Sequence, residues 1–317
     1  MRVVSADEID RALTFPALVD ALAAAFRADI VVPGRHHHDV ERAGAGGTLL
    51  LMPAWTGAAD RDGFVGTKIV TVFPDNGARG LASVIGTYLL MDGATGVPLA
   101  VLDGTRLTLW RTAAASALAA RYLARPDAAR MVMVGAGALA PWLIRAHGSQ
   151  RPLGDVAIWN RRPEAARQLA DRLAAEGPPV RAAEDLESAV RQADLVSCAT
   201  LSTAPLVRGA WLQPGTHLDL VGAFKPGMRE ADDEALQRAT VFVDTDGART
   251  EGGDVAAALA SGAIRADQVR GSLIDLCRSR ATGRDNPGEI TVFKSVGTAV
   301  EDLAAAILVW RNLPAAS

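Results

Sequence analysis

The run MVMVGAGALA, residues 131–140, decides the fold of the larger part of the chain. Its apolar start predicts a short buried strand, and GAGALA then matches GxGxxA, the pattern that opens a helix in dinucleotide-binding domains. Gly135 permits a tight turn, Gly137 lets a pyrophosphate approach the backbone, and the helix N-terminus offers unpaired N–H groups to its oxygens. A glycine-rich turn between two core elements would have the same sequence, so the flanking pattern decides between them.

The flanking segments alternate between strand-like and helix-like patterns. Pro163, near a first turn, supports a helix over residues 163–173. This β-α-β-α alternation predicts an α/β domain with a doubly wound parallel sheet of the Rossmann type, an NAD(P)-binding domain over residues 118–297. Its further apolar strand-like runs are 155–159, 195–199, 217–221 and 241–243.

The N-terminal part has a different pattern and predicts a second domain of residues 1–117, joined by a C-terminal helix at 298–317. Ser5 and Glu8 fit a capping box at the start of a helical segment. Four strand-like runs then follow one another without helices between them, which predicts an antiparallel sheet and hence an α+β substrate-binding and dimerisation domain. These runs are 48–55, 63–73, 82–91 and 97–102.

The composition is that of a globular protein without a nucleic-acid or membrane partner. Of 317 residues, 49% are apolar and 22% charged, and the net charge is −3, so no cationic field attracts nucleic acid. No apolar run approaches the ~18–20 residues that a bilayer requires, and the N-terminus lacks a signal-peptide pattern. Cys198 and Cys277 neither frame a disulfide scaffold nor suffice for a metal site. We therefore expect a cytoplasmic, metal-free protein.

The residues after the second strand of the Rossmann pattern indicate which dinucleotide binds. NAD sites usually carry an acid there, to accept hydrogen bonds from the ribose 2′-hydroxyl. This chain has Asn160, Arg161 and Arg162 instead. Two guanidinium groups suit a 2′-phosphate, so we expect NADPH, with NADH as the alternative. An exposed arginine pair that covers the surface would look the same.

Three cations of the first domain suggest an anionic substrate. Only three of the 33 basic residues are lysines, and Lys68 lies in a strand-like run, where a small ammonium of tuned pKa suits proton transfer. Arg35 and Arg111 have no obvious partner in the sequence and could hold a carboxylate, with Met52 as an apolar wall. The three lysines could equally be remnants on a solvated surface.

The segment 36–38 offers an alternative proton donor. It consists of three consecutive histidines, whose side chains titrate closer to neutrality than a lysine. The polar stretch 34–47 around them predicts a solvated loop, which argues for Lys68 as the donor without excluding a histidine.

Six segments in order resemble the ornithine cyclodeaminase/mu-crystallin family over nearly the whole chain. They are GTKIVTVFPDN (66–76), IGTYLLMDGATGVPLAVLDG (85–104), LTLWRTAAASALAA (107–120), GAGALA (135–140), VGAFKPGMREADD (221–233) and VFKSVGTAVEDL (292–303). The resemblance implies nicotinamide redox chemistry on amino or imino acids, a homodimer, and catalytic roles for Lys68 and Arg111. It also implies that the loop 294–297 lies near the nicotinamide. The expected cofactor residues are Thr112, Gly135, Ala136, Gly137, Ala138, Leu139, Asn160, Arg161, Arg162, Thr200, Ser295 and Gly297.

One position departs from the cyclodeaminases of this family. They carry an aspartate that engages the substrate amine, whereas this chain has Phe224. A phenyl ring cannot accept a proton, and it suits the wall of a pocket for a small cyclic imine. The chain is thus most similar to the Δ1-pyrroline-2-carboxylate reductases of the family, which implies reduction of that imine or its piperideine analogue to L-proline or L-pipecolate. A cyclodeaminase, an amino-acid dehydrogenase and a non-catalytic NADPH-binding protein of the crystallin type remain alternatives.

Overall fold

The computed structural model describes residues 1–42, 46–60, 62–174 and 179–314. The chain divides into two compact units, and the division falls within one long helix. The first unit contains Met1–Thr112 and Thr298–Ser317, and the second contains Ala113–Gly297. In the described part of the chain, no helix combines the length and the apolar character that a membrane-spanning helix needs.

The secondary structure of the described residues consists of strands and helices numbered here in chain order. The strands are β1 (Arg2–Val4), β2 (Ile30–Val31), β3 (His36–Val40), β4 (Gly47–Thr56), β5 (Phe64–Val72), β6 (Val84–Asp92), β7 (Pro98–Asp103), β8 (Arg130–Val134), β9 (Asp155–Trp159), β10 (Val180–Ala182), β11 (Leu195–Cys198), β12 (His217–Leu220), β13 (Thr240–Val243), β14 (Val269–Ser272) and β15 (Thr291–Lys294). The helices are α1 (Ala6–Ala12), α2 (Phe15–Arg27), α3 (Gly104–Leu123), α4 (Ala140–Gly148), α5 (Pro163–Leu173), α6 (Leu186–Gln192), α7 (Asp233–Gln237), α8 (Gly253–Ser261), α9 (Leu273–Cys277) and α10 (Ala299–Asn312).

The first unit is built on a sheet in the order β1-β7-β6-β5-β4-β2, with β3 also pairing with β4. The four expected strands β4–β7 pair antiparallel with their neighbours. The sheet is nevertheless mixed, since β1 pairs parallel with β7. Three residues, Arg2–Val4, are too few to show an alternating pattern, so this strand could not be predicted.

The histidine segment is a strand, and the prediction of a loop was wrong. His36, His37 and His38 belong to β3 and pair antiparallel with Leu51, Leu50 and Leu49 of β4. All three histidines are exposed. An exposed strand buries no apolar side chain, so its sequence lacks the alternation on which strand prediction depends.

Helices α1, α2 and α10 pack together beside this sheet. Helix α2 buries an apolar stripe that includes Leu18, Leu22 and Phe26, and helix α1 begins with the predicted capping box at Ser5 and Glu8. The C-terminal helix α10 packs on α2 and on strands β4, β5 and β6. This arrangement brings residues 299–312 next to residues some two hundred positions earlier in the chain.

The second unit has a fully parallel sheet in the order β10-β9-β8-β11-β12-β15-β13-β14. The order reverses between β8 and β11, and ligands of such sheets bind at this switch point, outside the carboxyl ends of the strands. The predicted Rossmann-type sheet is confirmed. The sequence did not reveal β15, which carries Lys294 and lies between β12 and β13.

Candidate active site

The GAGALA segment forms the turn between β8 and α4. Gly135 has a φ of +113°, and an added Cβ would lie 2.6 Å from the carbonyl oxygen of Ala199, so only glycine fits there. A Cβ on Gly137 would instead project into open space. The first glycine is thus required by packing, whereas the second leaves room for an approaching ligand.

A cavity of about 320 Å³ opens beside this turn at the switch point of the sheet. Exposed Arg161 and Arg162 lie at its rim, and the side-chain amide of Asn160 donates to the Arg162 carbonyl oxygen at 3.1 Å. No acidic side chain is among the described residues that line it. These features fit the pyrophosphate and the adenosine ribose of a dinucleotide. The lining residues are Gly135, Ala136, Gly137, Trp159, Asn160, Arg161, Arg162, Ala165, Ala199, Thr200, Leu201, Ser202 and Leu206.

The other predicted cofactor residues lie outside this lining. Ala138 and Leu139 complete the turn into α4, and Thr112 lies on α3 directly after Arg111. Ser295 and Gly297 follow β15, where the backbone N–H of Gly297 donates to the Asp244 carboxylate at 2.6 Å. Their contact with a cofactor stays a prediction.

Lys68 is buried on one face of the first unit's sheet. It is 2% exposed and lies opposite Met52 of β4 and Tyr88 of β6, so the three side chains share the face on which α10 packs. Its ammonium lies 2.9 Å and 2.8 Å from the two carboxylate oxygens of Asp302 on α10. The lysine is therefore a buried, ion-paired group rather than a surface remnant.

Arg111 joins the same network, which corrects the expectation that these cations lack internal partners. Its Nη1 donates to Glu301 at 2.6 Å, and its Nε lies 3.0 Å from Asp302 Oδ1. Both carboxylates are fully buried in the first turn of α10. Two cations thus face two anions, and the cluster carries no net charge. The acids are some two hundred residues away in the sequence, so no local pattern revealed the pairing.

The network sets the protonation of its members. Burial and the nearby Arg111 guanidinium lower the pKa of Lys68 to about 8, although Asp302 opposes them. Burial acts to raise the pKa of Asp302, but Arg111 and Lys68 prevail and hold it below its ordinary value. Burial, with a smaller contribution from Asp302, raises the pKa of Tyr88 well above its ordinary value. Near neutral pH the cluster therefore contains a protonated lysine that can give up its proton.

The remaining predicted substrate residues lie around these elements in their own units. Arg35 is half-buried and precedes His36, which pairs with the residue before Met52. Met52 itself is buried. Phe224, in the second unit, is 39% exposed, and the Lys225 ammonium lies 5.7 Å from its ring centre. Their contact with a substrate stays a prediction.

Sequence reasoning missed several buried charged residues. Glu301 and Asp302 interrupt an otherwise apolar helix. This pattern could have indicated buried ion pairs, since buried carboxylates need partners. Glu230, Asp254 and Lys294 form a second buried group in the Rossmann unit, where Lys294 Nζ lies 3.4 Å from Asp254 Oδ2. Glu230 lies inside a quoted motif, yet nothing local distinguished it from its neighbours.

The fold and the cavity together define a Rossmann-type dinucleotide-binding protein with a second α+β unit that contains a buried lysine. The chain belongs to the ornithine cyclodeaminase/mu-crystallin family, whose model matches residues 2–316. The predicted family and fold class are thereby confirmed.

Three proteins show what the chain is similar to. The Δ1-pyrroline-2-carboxylate reductase of Paracoccus denitrificans is 42% identical over 290 residues, which cover 90% of each chain. The Thermococcus litoralis Δ1-pyrroline-2-carboxylate reductase, solved with NADH and L-proline, has a TM-score of 0.92 at 29% identity and covers 98% of this chain and 97% of its own. An archaeal alanine dehydrogenase dimer with bound NAD has a TM-score of 0.90 at 30% identity and covers 98% and 95%.

These relatives confirm the predicted class of enzyme, a nicotinamide-dependent oxidoreductase acting on CH–NH or C=N bonds.

Proposed function

We propose that this protein reduces the C=N bond of a cyclic imino acid, Δ1-pyrroline-2-carboxylate or its six-membered analogue, to L-proline or L-pipecolate with NADPH. The observation that carries the proposal is the buried ammonium of Lys68, held by Asp302 at 2.8 Å and with a pKa lowered to about 8. Such a group is protonated at neutral pH and still acidic enough to donate. The relatives named as reductases of this imine support the choice of substrate.

Lys68 supplies the proton in this proposal. A reduced nicotinamide, when bound, would supply the hydride for the ring carbon. The Lys68 ammonium donates its proton to the ring nitrogen, so one new C–H bond and one new N–H bond replace the C=N π bond. Asp302 keeps the ammonium in place and stabilises its charge before transfer. The turnover ends with neutral Lys68, which regains a proton from water.

Arg111 and Arg35 are the proposed anchors of the substrate carboxylate. Guanidinium groups bind carboxylates through parallel hydrogen bonds, which fixes the orientation of the ring. The contacts of Arg111 with Glu301 and Asp302 hold its guanidinium plane in one orientation. Met52 and Phe224 would supply the apolar walls, and with a phenyl ring at position 224 there is no carboxylate to assist loss of ammonia there.

The arginine pair at the cavity rim supports NADPH as the reductant. Arg161 and Arg162 follow β9, where the adenosine ribose of a Rossmann cofactor is bound. Their charges compensate a 2′-phosphate, whereas a free 2′-hydroxyl would find no carboxylate there.

A substrate screen with purified protein tests the proposal. Both cyclic imines are offered with NADPH and with NADH, and coenzyme oxidation is followed together with the formation of L-proline or L-pipecolate. We expect turnover of at least one imine, faster with NADPH. Ammonia release from ornithine, reductive amination of pyruvate, or saturable NADPH binding without turnover would each replace the proposal by one of the alternatives.

We further propose that the protein is a cytoplasmic homodimer. The archaeal alanine dehydrogenase, described as a dimer, supports this assembly. Light scattering coupled to gel filtration measures it directly, and a monomer mass would contradict the proposal.

A further inference from the structure

Glu230 presents a buried carboxylate to the segment that follows β11. The residue is fully buried, in the stretch between β12 and α7. Its Oε1 accepts the backbone N–H of Thr200 at 2.6 Å and the Thr200 hydroxyl at 2.8 Å. Thr200 also lines the dinucleotide cavity. One end of this carboxylate therefore fixes a wall of the proposed cofactor site.

The other carboxylate oxygen holds the segment that follows β12. Glu230 Oε2 accepts the backbone N–H groups of Gly222 at 2.7 Å and Ala223 at 3.2 Å. An added Cβ on Gly222 would lie 2.1 Å from the Thr200 carbonyl oxygen, so the two segments also touch directly. Phe224, the proposed wall of the imine pocket, comes next in the chain. Glu230 thus links the segment after β11, which lines the dinucleotide cavity, to the segment after β12, which carries Phe224.

Glu230 is itself held from the opposite side. Asp254, in the first turn of α8, accepts the backbone N–H groups of Glu230 at 2.7 Å and Ala231 at 3.1 Å. The Lys294 ammonium, at the end of β15, lies 3.4 Å from Asp254. Asp254 thus fixes the backbone of Glu230, and four hydrogen-bond donors converge on the Glu230 carboxylate.

We propose that Glu230 is a positioning residue that couples the binding of the dinucleotide to the binding of the imine, through its four hydrogen bonds to the segments after β11 and β12. This inference rests on the proposed function for the identity of the second ligand. A cofactor that orders Thr200 also orders the Glu230 carboxylate, and the same carboxylate holds Gly222 and Ala223. The two ligands therefore stabilise one conformation of Glu230 and its four hydrogen bonds to Thr200, Gly222 and Ala223, which we call the brace. By linkage, each ligand then raises the affinity for the other by the same factor.

The charged groups around Glu230 make the brace sensitive to pH. Burial raises the pKa of Glu230 to about 7, Lys294 opposes that rise, and Asp254 adds to it. The Cys198 thiol of β11 also faces this group, and burial followed by Glu230 raises its pKa well above the ordinary value. A proton on Glu230 would displace one of its four donors, so the coupling weakens as the pH falls below about 7.

The two ends of the brace can be separated by substitution. In Glu230→Gln the amide oxygen can serve only one segment. If the amide oxygen faces Gly222 and Ala223, one backbone N–H, that of Thr200, loses its acceptor. If the oxygen faces Thr200, the two backbone N–H groups of Gly222 and Ala223 lose theirs. We therefore expect Glu230→Gln to release the Thr200 end and Glu230→Ala to release both ends. Glu234→Gln, an exposed acid on α7, is the matched control.

Hydrogen exchange and ligand binding give independent readouts. Glu230→Gln should speed exchange in the segment 199–202 and weaken NADPH about tenfold, the usual effect of one lost hydrogen bond to a charged group, while the KM for the imine rises only by the factor by which NADPH tightens imine binding in wild-type protein. Glu230→Ala should speed exchange at 222–225 as well and raise that KM about tenfold. In wild-type protein NADPH should tighten binding of pyrrole-2-carboxylate, a planar unreactive analogue, and Glu230→Gln should abolish this effect.

The outcomes separate the brace from the proposed function. Unchanged exchange in both variants, or a coupling that survives Glu230→Gln, would overturn the inference. If wild-type protein does not bind the analogue, the proposed substrate is wrong, and the exchange of 199–202 and 222–225 still decides the brace. If Glu230→Ala does not fold, the isosteric Glu230→Gln decides alone.

Discussion

At the scale of single residues, the proposed chemistry depends on a lysine whose charge is set by its neighbours. Lys68 is buried with Arg111, and the repulsion between the two cations is offset by Asp302, which contacts both. Removing an ionic partner from a buried cation disfavours its protonated form. Asp302 is therefore expected to set the pH range in which Lys68 can donate a proton.

The substitution Asp302→Asn tests this dependence. The wild-type rate of imine reduction should fall as the pH rises through about 8, where Lys68 loses its proton. Without the carboxylate the pKa of Lys68 falls further, so the alkaline limb should move to lower pH by about one unit or more. The pH dependence of kcat measures the shift. Asp7→Asn, an exposed acid on α1, should leave the profile unchanged, and an unshifted limb in Asp302→Asn would contradict the assignment.

The arginines at the cavity rim allow a second test at this scale. Replacing both Arg161 and Arg162 by alanine should raise the KM for NADPH about 100-fold, because two charge-assisted contacts to a phosphate are lost. The KM for NADH should change less than about threefold. Arg172→Ala, an exposed arginine on α5 outside the cavity, serves as the control. Equal losses for both coenzymes would show that the pair does not bind the 2′-phosphate.

At the scale of elements, the turn between β8 and α4 assigns different tasks to its two glycines. Gly135→Ala should cost about 2 kcal/mol or more of unfolding free energy, since its Cβ would meet Ala199 at a positive φ. Gly137→Ala should change stability by less than about 0.5 kcal/mol yet weaken NADPH about tenfold, because its methyl group enters the space for the pyrophosphate. Urea unfolding and coenzyme titration measure the two effects. Wild-type affinity of Gly137→Ala for NADPH would contradict this role of Gly137.

Elements with a regular apolar pattern could be predicted from the sequence, whereas very short or exposed strands could not. Helix α5 and strand β9 have the predicted bounds, because each buries a regular apolar pattern. Strands β1, β3 and β15 were missed for different reasons. The first is three residues long, the second is exposed, and the third is only four residues long and ends in a lysine.

At the scale of the whole molecule, buried ionisable groups make stability depend on pH. His217 lies in β12 beside Thr291, whose hydroxyl is 2.9 Å from its Nδ1. Burial lowers the pKa of His217 to about 3, whereas in the unfolded chain the pKa keeps its ordinary value of 6.5. The unfolded chain thus takes up a proton first as the pH falls. This contribution to stability is present above the unfolded pKa and is lost progressively toward the folded one, at about 1.4 kcal/mol per pH unit.

The variant His217→Asn isolates this contribution. Asparagine can keep a polar contact with Thr291 but does not titrate, so the loss of stability between about pH 6.5 and about pH 5 should be smaller than in wild type. Urea unfolding at both pH values measures the difference. His37→Asn, on the exposed strand β3, should behave like wild type. If the free energy of unfolding falls equally for His217→Asn and wild type between the two pH values, His217 is not a buried neutral histidine.

The candidate site could be predicted only in part, because the carboxylates that contact its cations lie in a distant segment of the sequence. Lys68 and Arg111 were identified from the scarcity of lysine and from the family motifs, yet their carboxylate partners on α10 depend on the fold. Glu230 acts through backbone N–H groups of two separate segments, a relation that no local pattern encodes. Sequence identified the candidate reacting groups, and only the three-dimensional arrangement identified the residues that contact them.

The most direct test of the proposed chemistry is the turnover of Lys68→Met with Δ1-pyrroline-2-carboxylate and NADPH. Methionine keeps the length and the apolar stem of the side chain, and Asp302 keeps Arg111 as its partner. We expect kcat to fall by a factor of about 100 to 10,000, the usual contribution of a general acid, while the NADPH dissociation constant stays within about twofold. A variant that binds NADPH normally and turns over within about tenfold of wild type would contradict Lys68 as the proton donor.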